Sequence, residues 1–450
     1  MKIRSHNLLA GVILPWLIAG GVASAQEASS QAHAKLTVTS PPEACQGCHE
    51  NIFDEWKDSF HAKATTSPAF RGMFTLFDFS TQGQSVPECL NCHATDTKLS
   101  GDYEGMRQAI LADEPNTRGV TCTACHAMRA VKDIPELLVP AQISPVKLPM
   151  HNVERSDLFK KEVMCSACHD YNNSHAAKGD WEKGVACCDT NRDFRKTEMA
   201  KQGVTCQTCH MAPGLEEDPS AWKKALTAST SLKDRLLRLV NLDRYAEKRE
   251  WTGHRFPGSH DAEMVKTAVE TDFRVQQSHD QIAIQVSLKN LIGHSIPNGC
   301  PPRARMFLRI WMEDEDGFEI DSHEVEYGFN FKDKDGFEPA MVEAAVSRGF
   351  DHVLEAESTD LVEVEFPIPE DEVPVITKAS LTYTYFVMPP ADAQNRMQQG
   401  LIRRIKAGTP EEKDFILNTE IPGRMAAMNR LASAYPPVLM WHAEQELEGR

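Results

Sequence analysis

Ten of the thirteen cysteines stand in five copies of one arrangement, two cysteines separated by two residues and followed at once by a histidine. The copies are Cys45-Gln46-Gly47-Cys48-His49, Cys89-Leu90-Asn91-Cys92-His93, Cys122-Thr123-Ala124-Cys125-His126, Cys165-Ser166-Ala167-Cys168-His169 and Cys206-Gln207-Thr208-Cys209-His210. Two thiols at that spacing can each close a thioether to one vinyl group of a haem, and the imidazole that follows is held where it can bind the iron. Paired cysteines also build zinc sites or, in an oxidising compartment, disulfides. Neither alternative explains a histidine after every pair. Five covalently bound c-type haems are therefore the expected cofactors, with these ten cysteines as attachment points and His49, His93, His126, His169 and His210 as the first iron ligands.

Each iron has a second axial position, and four further histidines stand in contexts suited to it. His61 follows Glu55-Trp56-Lys57-Asp58-Ser59-Phe60 at the end of an expected helix over 52–63. His151 lies in an extended, proline-framed stretch before the fourth motif. His254 is set in Gly253-His254-Arg255-Phe256-Pro257-Gly258, and His294 in Gly293-His294-Ser295-Ile296-Pro297-Asn298-Gly299. Glycine and proline around a histidine make a tight, rigid turn that can hold an imidazole out over a metal. His260 and His175 are weaker candidates. A turn histidine bonded to local backbone is the ordinary alternative for any one of them, and five irons in need of ligands reverse those odds. No methionine has a context that singles it out.

The motifs together with Trp56, Ser59, His61 and Ala62, and the Gly-Val-Thr-Cys runs at 119–122 and 203–206, resemble the multihaem c-type cytochromes related to the tetrahaem electron acceptor of hydroxylamine oxidoreductase. The turn at 293–299 is similar to a segment of larger relatives that carry a C-terminal β-domain. The resemblance spans roughly residues 43–390. It implies mainly bis-histidine, low-spin haems stacked in parallel and perpendicular pairs. A fifth motif and a long C-terminal extension depart from the tetrahaem type.

The elements that must position these ligands follow from spacing. From Cys45 to His210 there are 166 residues for five motifs, too few to wrap each haem in its own protein core, so the haems are expected to pack together and serve as the apolar interior. Short helices are expected there, including 103–112. After about residue 265 the period changes: 282–288 alternates apolar and polar residues as a half-buried strand does. Strands are also expected at 306–312, 361–366 and 380–387, with a hairpin turn at Asp314-Glu315-Asp316-Gly317. Residues 391–450 return to helical spacing, as a tail packed across the body or against another subunit. The fold class is α+β: a haem-packed, mainly α and irregular domain at 26–262, a small β-sandwich at 263–390 and a helical C-terminal extension at 391–450.

Residues 1–25 read as a secretory signal, with Lys2 and Arg4, a short apolar core and Ala23-Ser24-Ala25 before cleavage at Gln26. A periplasmic or extracellular protein with no transmembrane segment is expected. Removing Lys2 and Arg4 takes the net charge from −17 to −19, which argues against nucleic acid and favours redox partner proteins with basic docking surfaces. Cys187, Cys188 and Cys300 remain, and a disulfide from Cys187 or Cys188 to Cys300 would tie the two domains. The expected function is electron relay between redox partners. An oxidoreductase with one open haem acting on a small nitrogen or sulfur species is the first alternative, and a subunit of a conductive cytochrome filament or complex the second; a homo-oligomer is a further candidate arrangement. All five motifs end in His, which tells against the CxxCK attachment of ammonia-forming nitrite reductases.

Overall fold

The structure is a computed structural model that describes residues 37, 39–46, 49–81, 83, 86–127, 136–140, 146–147, 152–172, 185–212, 252–299, 303–338, 345–368, 373–387 and 391–447. The signal segment, Cys48, His151, His175 and Cys300 lie outside the described residues.

The chain begins with short helices. Pro68–Thr81, Val86–His93, Thr95–Ser100 and Tyr103–Leu111 gather around a small apolar cluster of Phe74, Val86, Leu90, Ala94, Ile110 and Leu111. Asp102 starts the last of these by accepting a hydrogen bond from the Gly105 N–H, the usual way to satisfy a free amide at a helix start. The expected helix at 52–63 is observed as Glu50–Asp58 and stops short of His61. His61 is in a turn whose carbonyl accepts from Val120 N–H at 2.8 Å. That contact needs Gly119, because a Cβ there would come within 2.3 Å of the same carbonyl oxygen.

The β-domain is two stacked sheets with one interior. Val269–Gln277, Gln281–Asn290 and Thr359–Pro367 form a three-stranded antiparallel sheet with Gln281–Asn290 in the middle. Ile282, Ile284, Val286 and Leu288 alternate inward from that strand and are fully buried. They meet Met306, Leu308, Ile310 and Met312 of Arg305–Glu313, which belongs to a five-stranded sheet. Burying such a side chain stabilises the fold by about 1.5–3 kcal/mol each, so this domain has a conventional apolar core where the helical region has little. Its last expected strand runs over Ile376–Thr384 rather than 380–387, since Val387 leaves the sheet to pair with the Arg303 carbonyl.

The C-terminal extension is helical over Ala391–Ala407, Pro410–Phe415 and Ile421–Ala434, with a π-helical turn at Ile416–Glu420. It packs against Pro68–Thr81, across the body of the same chain. One difference from the sequence reading lies beyond Pro436-Pro437, where Val438–Glu446 is a strand. It pairs antiparallel with Ile376–Thr384 and forms an edge of the five-stranded sheet. The prolines end the helix, and apolar residues in the strand then meet the sandwich core.

Candidate functional site

Cys45 lies on Glu43–Gln46 and His49 caps the start of Glu50–Asp58, while the other four motifs lie wholly on short helices, Val86–His93, Cys122–His126, Val163–His169 and Cys206–His210. A helical turn places cysteines three residues apart on the same side and sets the next residue's imidazole beside them. The last of these helices is started by Thr205 and Thr208, each bonding the other end of the turn. The Cys45 thiol is a neighbour of Cys122, that of Cys92 of Cys168, and that of Cys165 of Cys206. Attachment points of different motifs are thus in contact.

Three of the candidate histidines stand opposite motif histidines. The ring centres of His61 and His169 are 6.3 Å apart with planes at 52°. Those of His126 and His254 are 6.3 Å apart at 20°, and those of His210 and His294 are 6.4 Å apart at 13°. With metal–nitrogen bonds of about 2.0–2.1 Å and a ring radius added on each side, two imidazoles on one metal stand about 6.3 Å centre to centre. The donor set therefore fits an iron held between two imidazoles. Among the described residues no three His, Cys, Asp or Glu side chains converge as a cage for a bare metal ion.

The second ring nitrogen is occupied in several of these histidines. His210 donates Nδ1–H to the Pro257 carbonyl at 2.6 Å, His254 to Thr252 at 2.8 Å and His294 to Ser295 at 3.0 Å. Such a bond fixes the tautomer, aims the ring and leaves the Nε2 lone pair for a metal. His93 lies beside the Ala64 backbone and has Phe70 stacked on it at 4.4 Å. His260 lies flat on Phe60 at 3.6 Å. Phe256, which the sequence reading did not single out, touches two of the paired rings.

Residues 44–127 match the family model described as cytochrome c554 and c-prime. The chain is 27% identical over 195 residues to cytochrome c-554 of Nitrosomonas europaea, covering 40% of this chain and 79% of that protein. Its fold is similar to that of a penta-heme cytochrome c552 from Thermochromatium tepidum, with a TM-score of 0.59 at 20% identity over 91% of this chain and 100% of the other. Over these regions the chain is similar to c-type cytochromes. That similarity supports c-type haem as the cofactor and electron transfer as the role.

The helical domain and the β-domain are joined through the loop that carries His294. Ser295 gives both its N–H, at 3.1 Å, and its hydroxyl, at 2.6 Å, to one Asp193 oxygen. Thr190 donates to Asn298 at 2.8 Å. Gly293 lies so close to Phe194 that a Cβ would meet the ring at 2.7 Å. Glu357 of the β-domain accepts from the N–H groups of Glu198 and Met199, at 2.8 and 2.9 Å, at the start of helix Glu198–Lys201. The expected bond to Cys300 lies outside the described residues, among which Cys188 is a buried, free thiol. Burial and the nearby Asp189 push its pKa up.

Desolvation holds the site imidazoles neutral, the state in which they can donate to a metal. It lowers His61 to about 3, His93 to about 4, His260 to about 4 and His294 to about 4, with neighbouring imidazoles adding to the shift at His61. In the unfolded chain these rings bind protons below about pH 6.5, whereas the folded ones stay neutral well below that. Stability is therefore fully present above about pH 6.5 and falls as the pH drops toward 4, by up to about 1.4 kcal/mol per pH unit for each such ring. Denaturant midpoints measured at pH 7, 6 and 5 are expected to decline with increasing steepness. A flat profile would show that the rings titrate alike in both states.

Proposed function

We propose that this chain is an exported electron-transfer protein that holds five c-type haems through Cys45, Cys48, Cys89, Cys92, Cys122, Cys125, Cys165, Cys168, Cys206 and Cys209. The observation that carries the reading is the set of three imidazole pairs at 6.3–6.4 Å, each with one ring from a CxxCH motif. In this reading His169 and His61 share one iron, His126 and His254 a second, and His210 and His294 a third. His49 and His93 bind the remaining two, with His151 and His260 as candidates for the opposite faces. When bound, haem supplies a one-electron couple. The protein's part is to fix the axial rings, keep them neutral and bring the attachment points into contact with one another, as the Cys45–Cys122, Cys92–Cys168 and Cys165–Cys206 contacts do.

The net charge, −17 for the full sequence and −19 without residues 1–25, favours partners with basic docking surfaces, and association with them is expected to weaken as salt rises. Among the described residues no helix is long and apolar enough to cross a membrane.

Intact mass and pyridine haemochrome absorbance on the purified holoprotein test the reading. Five covalent haems per chain, low-spin and unreactive toward carbon monoxide, are expected. A haem count below five would remove motifs from the assignment. A high-spin haem that binds the gas would instead make electron transfer the supply line to a reactive site, to be assayed with nitrite, hydroxylamine and sulfur oxyanions.

A further inference from the structure

The stretch 253–258 reaches all three imidazole pairs. His254 belongs to one. The Pro257 carbonyl takes the Nδ1–H of His210 from another. Phe256 lies against His61 of the third, with ring centres 4.3 Å apart and planes at 51°. The same phenyl ring meets His254 edge-on at 5.8 Å and 78°.

Phe256 holds this place at a cost. Its φ is 50°, in the left-handed region that bulky residues rarely enter, and a backbone of that kind persists only where its surroundings over-determine it. The surroundings here do so. Gly253 N–H bonds the Met211 carbonyl at 2.9 Å, the Glu55 carboxylate takes the His254 N–H at 2.7 Å, and His210 anchors Pro257. The chain is pinned on both sides of Phe256, and the side chain is delivered between two imidazoles.

These two rings differ in what else orients them. His254 has its Nδ1 bond to Thr252. Among the described residues the His61 ring has no hydrogen bond, so its rotation is limited by packing alone.

We propose that Phe256 is a positioning residue, a wedge between the imidazoles of His61 and His254 that fixes the plane of each ring about its bond to the metal. The inference rests on the ligand assignment given above. The angle between axial imidazole planes sets the symmetry of a low-spin ferric haem: near-parallel rings give a rhombic resonance, and strongly rotated rings a highly anisotropic one. The His61–His169 pair at 52° is thus expected to give the most anisotropic of the three signals, and the His210–His294 pair at 13° a rhombic one.

The test is low-temperature electron paramagnetic resonance on oxidised holoprotein, for the wild type, Phe256→Leu and Phe256→Trp. Leucine removes the flat face, and tryptophan keeps an aromatic face but widens the wedge. Both variants are expected to shift the anisotropic signal strongly and the His126–His254 signal less, leaving the rhombic signal in place. Phe256→Tyr is expected to restore the wild-type spectrum. Either shifted variant suffices if the other fails to mature. An unchanged spectrum with a lowered melting temperature would overturn the proposal by making Phe256 merely structural, as would a shift common to every haem. A wild-type protein without bis-imidazole low-spin signals would overturn the ligand assignment and the proposal together.

Discussion

His294→Ala is expected to convert one low-spin haem to a high-spin haem that binds carbon monoxide, leaving the others as they were. The His294 ring stands 6.4 Å from His210 with nearly parallel planes, and its Nδ1 is tied to the Ser295 carbonyl, so only Nε2 is left to face a metal. Alanine removes that donor while leaving the loop's anchors, Ser295 to Asp193 and Asn298 to Thr190. The docked arrangement of the two domains should therefore survive, and added imidazole should return the haem to low spin. Optical spectra with a carbon monoxide titration read the result. Carbon monoxide uptake equal to wild type would show that His294 is not an axial ligand.

The second large effect concerns stability. Asp78 is fully buried on Pro68–Thr81, and Arg107 holds it with two parallel hydrogen bonds, one of them 2.9 Å from Nη2 to Oδ2. Arg404 of the C-terminal extension stands 3.8 Å from the same carboxylate and pairs at 2.9 Å with Glu420, which is also fully buried. Arg107→Met leaves the Asp78 carboxylate buried with, among the described residues, the more distant Arg404 as its one basic partner, and breaking one side of such a pair costs about 3–5 kcal/mol. Arg107→Lys keeps the charge but loses the two-pronged geometry, so a smaller loss is expected. Guanidinium unfolding of the holoprotein measures both. A loss below about 1 kcal/mol for the methionine variant would mean that the pair behaves as a surface ion pair does.

Local signals in the sequence carried much of this. The CxxCH spacing marked the attachment motifs themselves but not the short helices that carry them, such as Cys122–His126 and Cys206–His210. Alternation marked the strand Gln281–Asn290, where every second residue is buried. Glycine and proline around His254 and His294 marked turns, and those turns are where imidazoles are found opposite motif histidines. The pairing itself could not be read, because which ring faces which depends on contacts between distant segments. The same is true of Phe256, whose residue type is ordinary and whose position depends on Met211, Glu55 and His210. The helix over 52–63 ends early because the His61 carbonyl is used by Val120, a partner that helical periodicity does not reveal. Val438–Glu446 was hidden by its helical neighbours, and its place at the sheet edge is set by Ile376–Thr384.

The imidazole pairs also impose an order in time. Each five-residue motif is local in the chain, whereas the ring opposite it comes from far away: His254 for His126, and His294 for His210. The sheet next to the His294 loop gains its outermost strand only when the final residues, 438–446, arrive. Under the ligand assignment proposed above, a chain still being delivered would pass through an interval in which its haems are tethered but open on one side, and the arrival of the C-terminal half would shut the sites at His126 and His210.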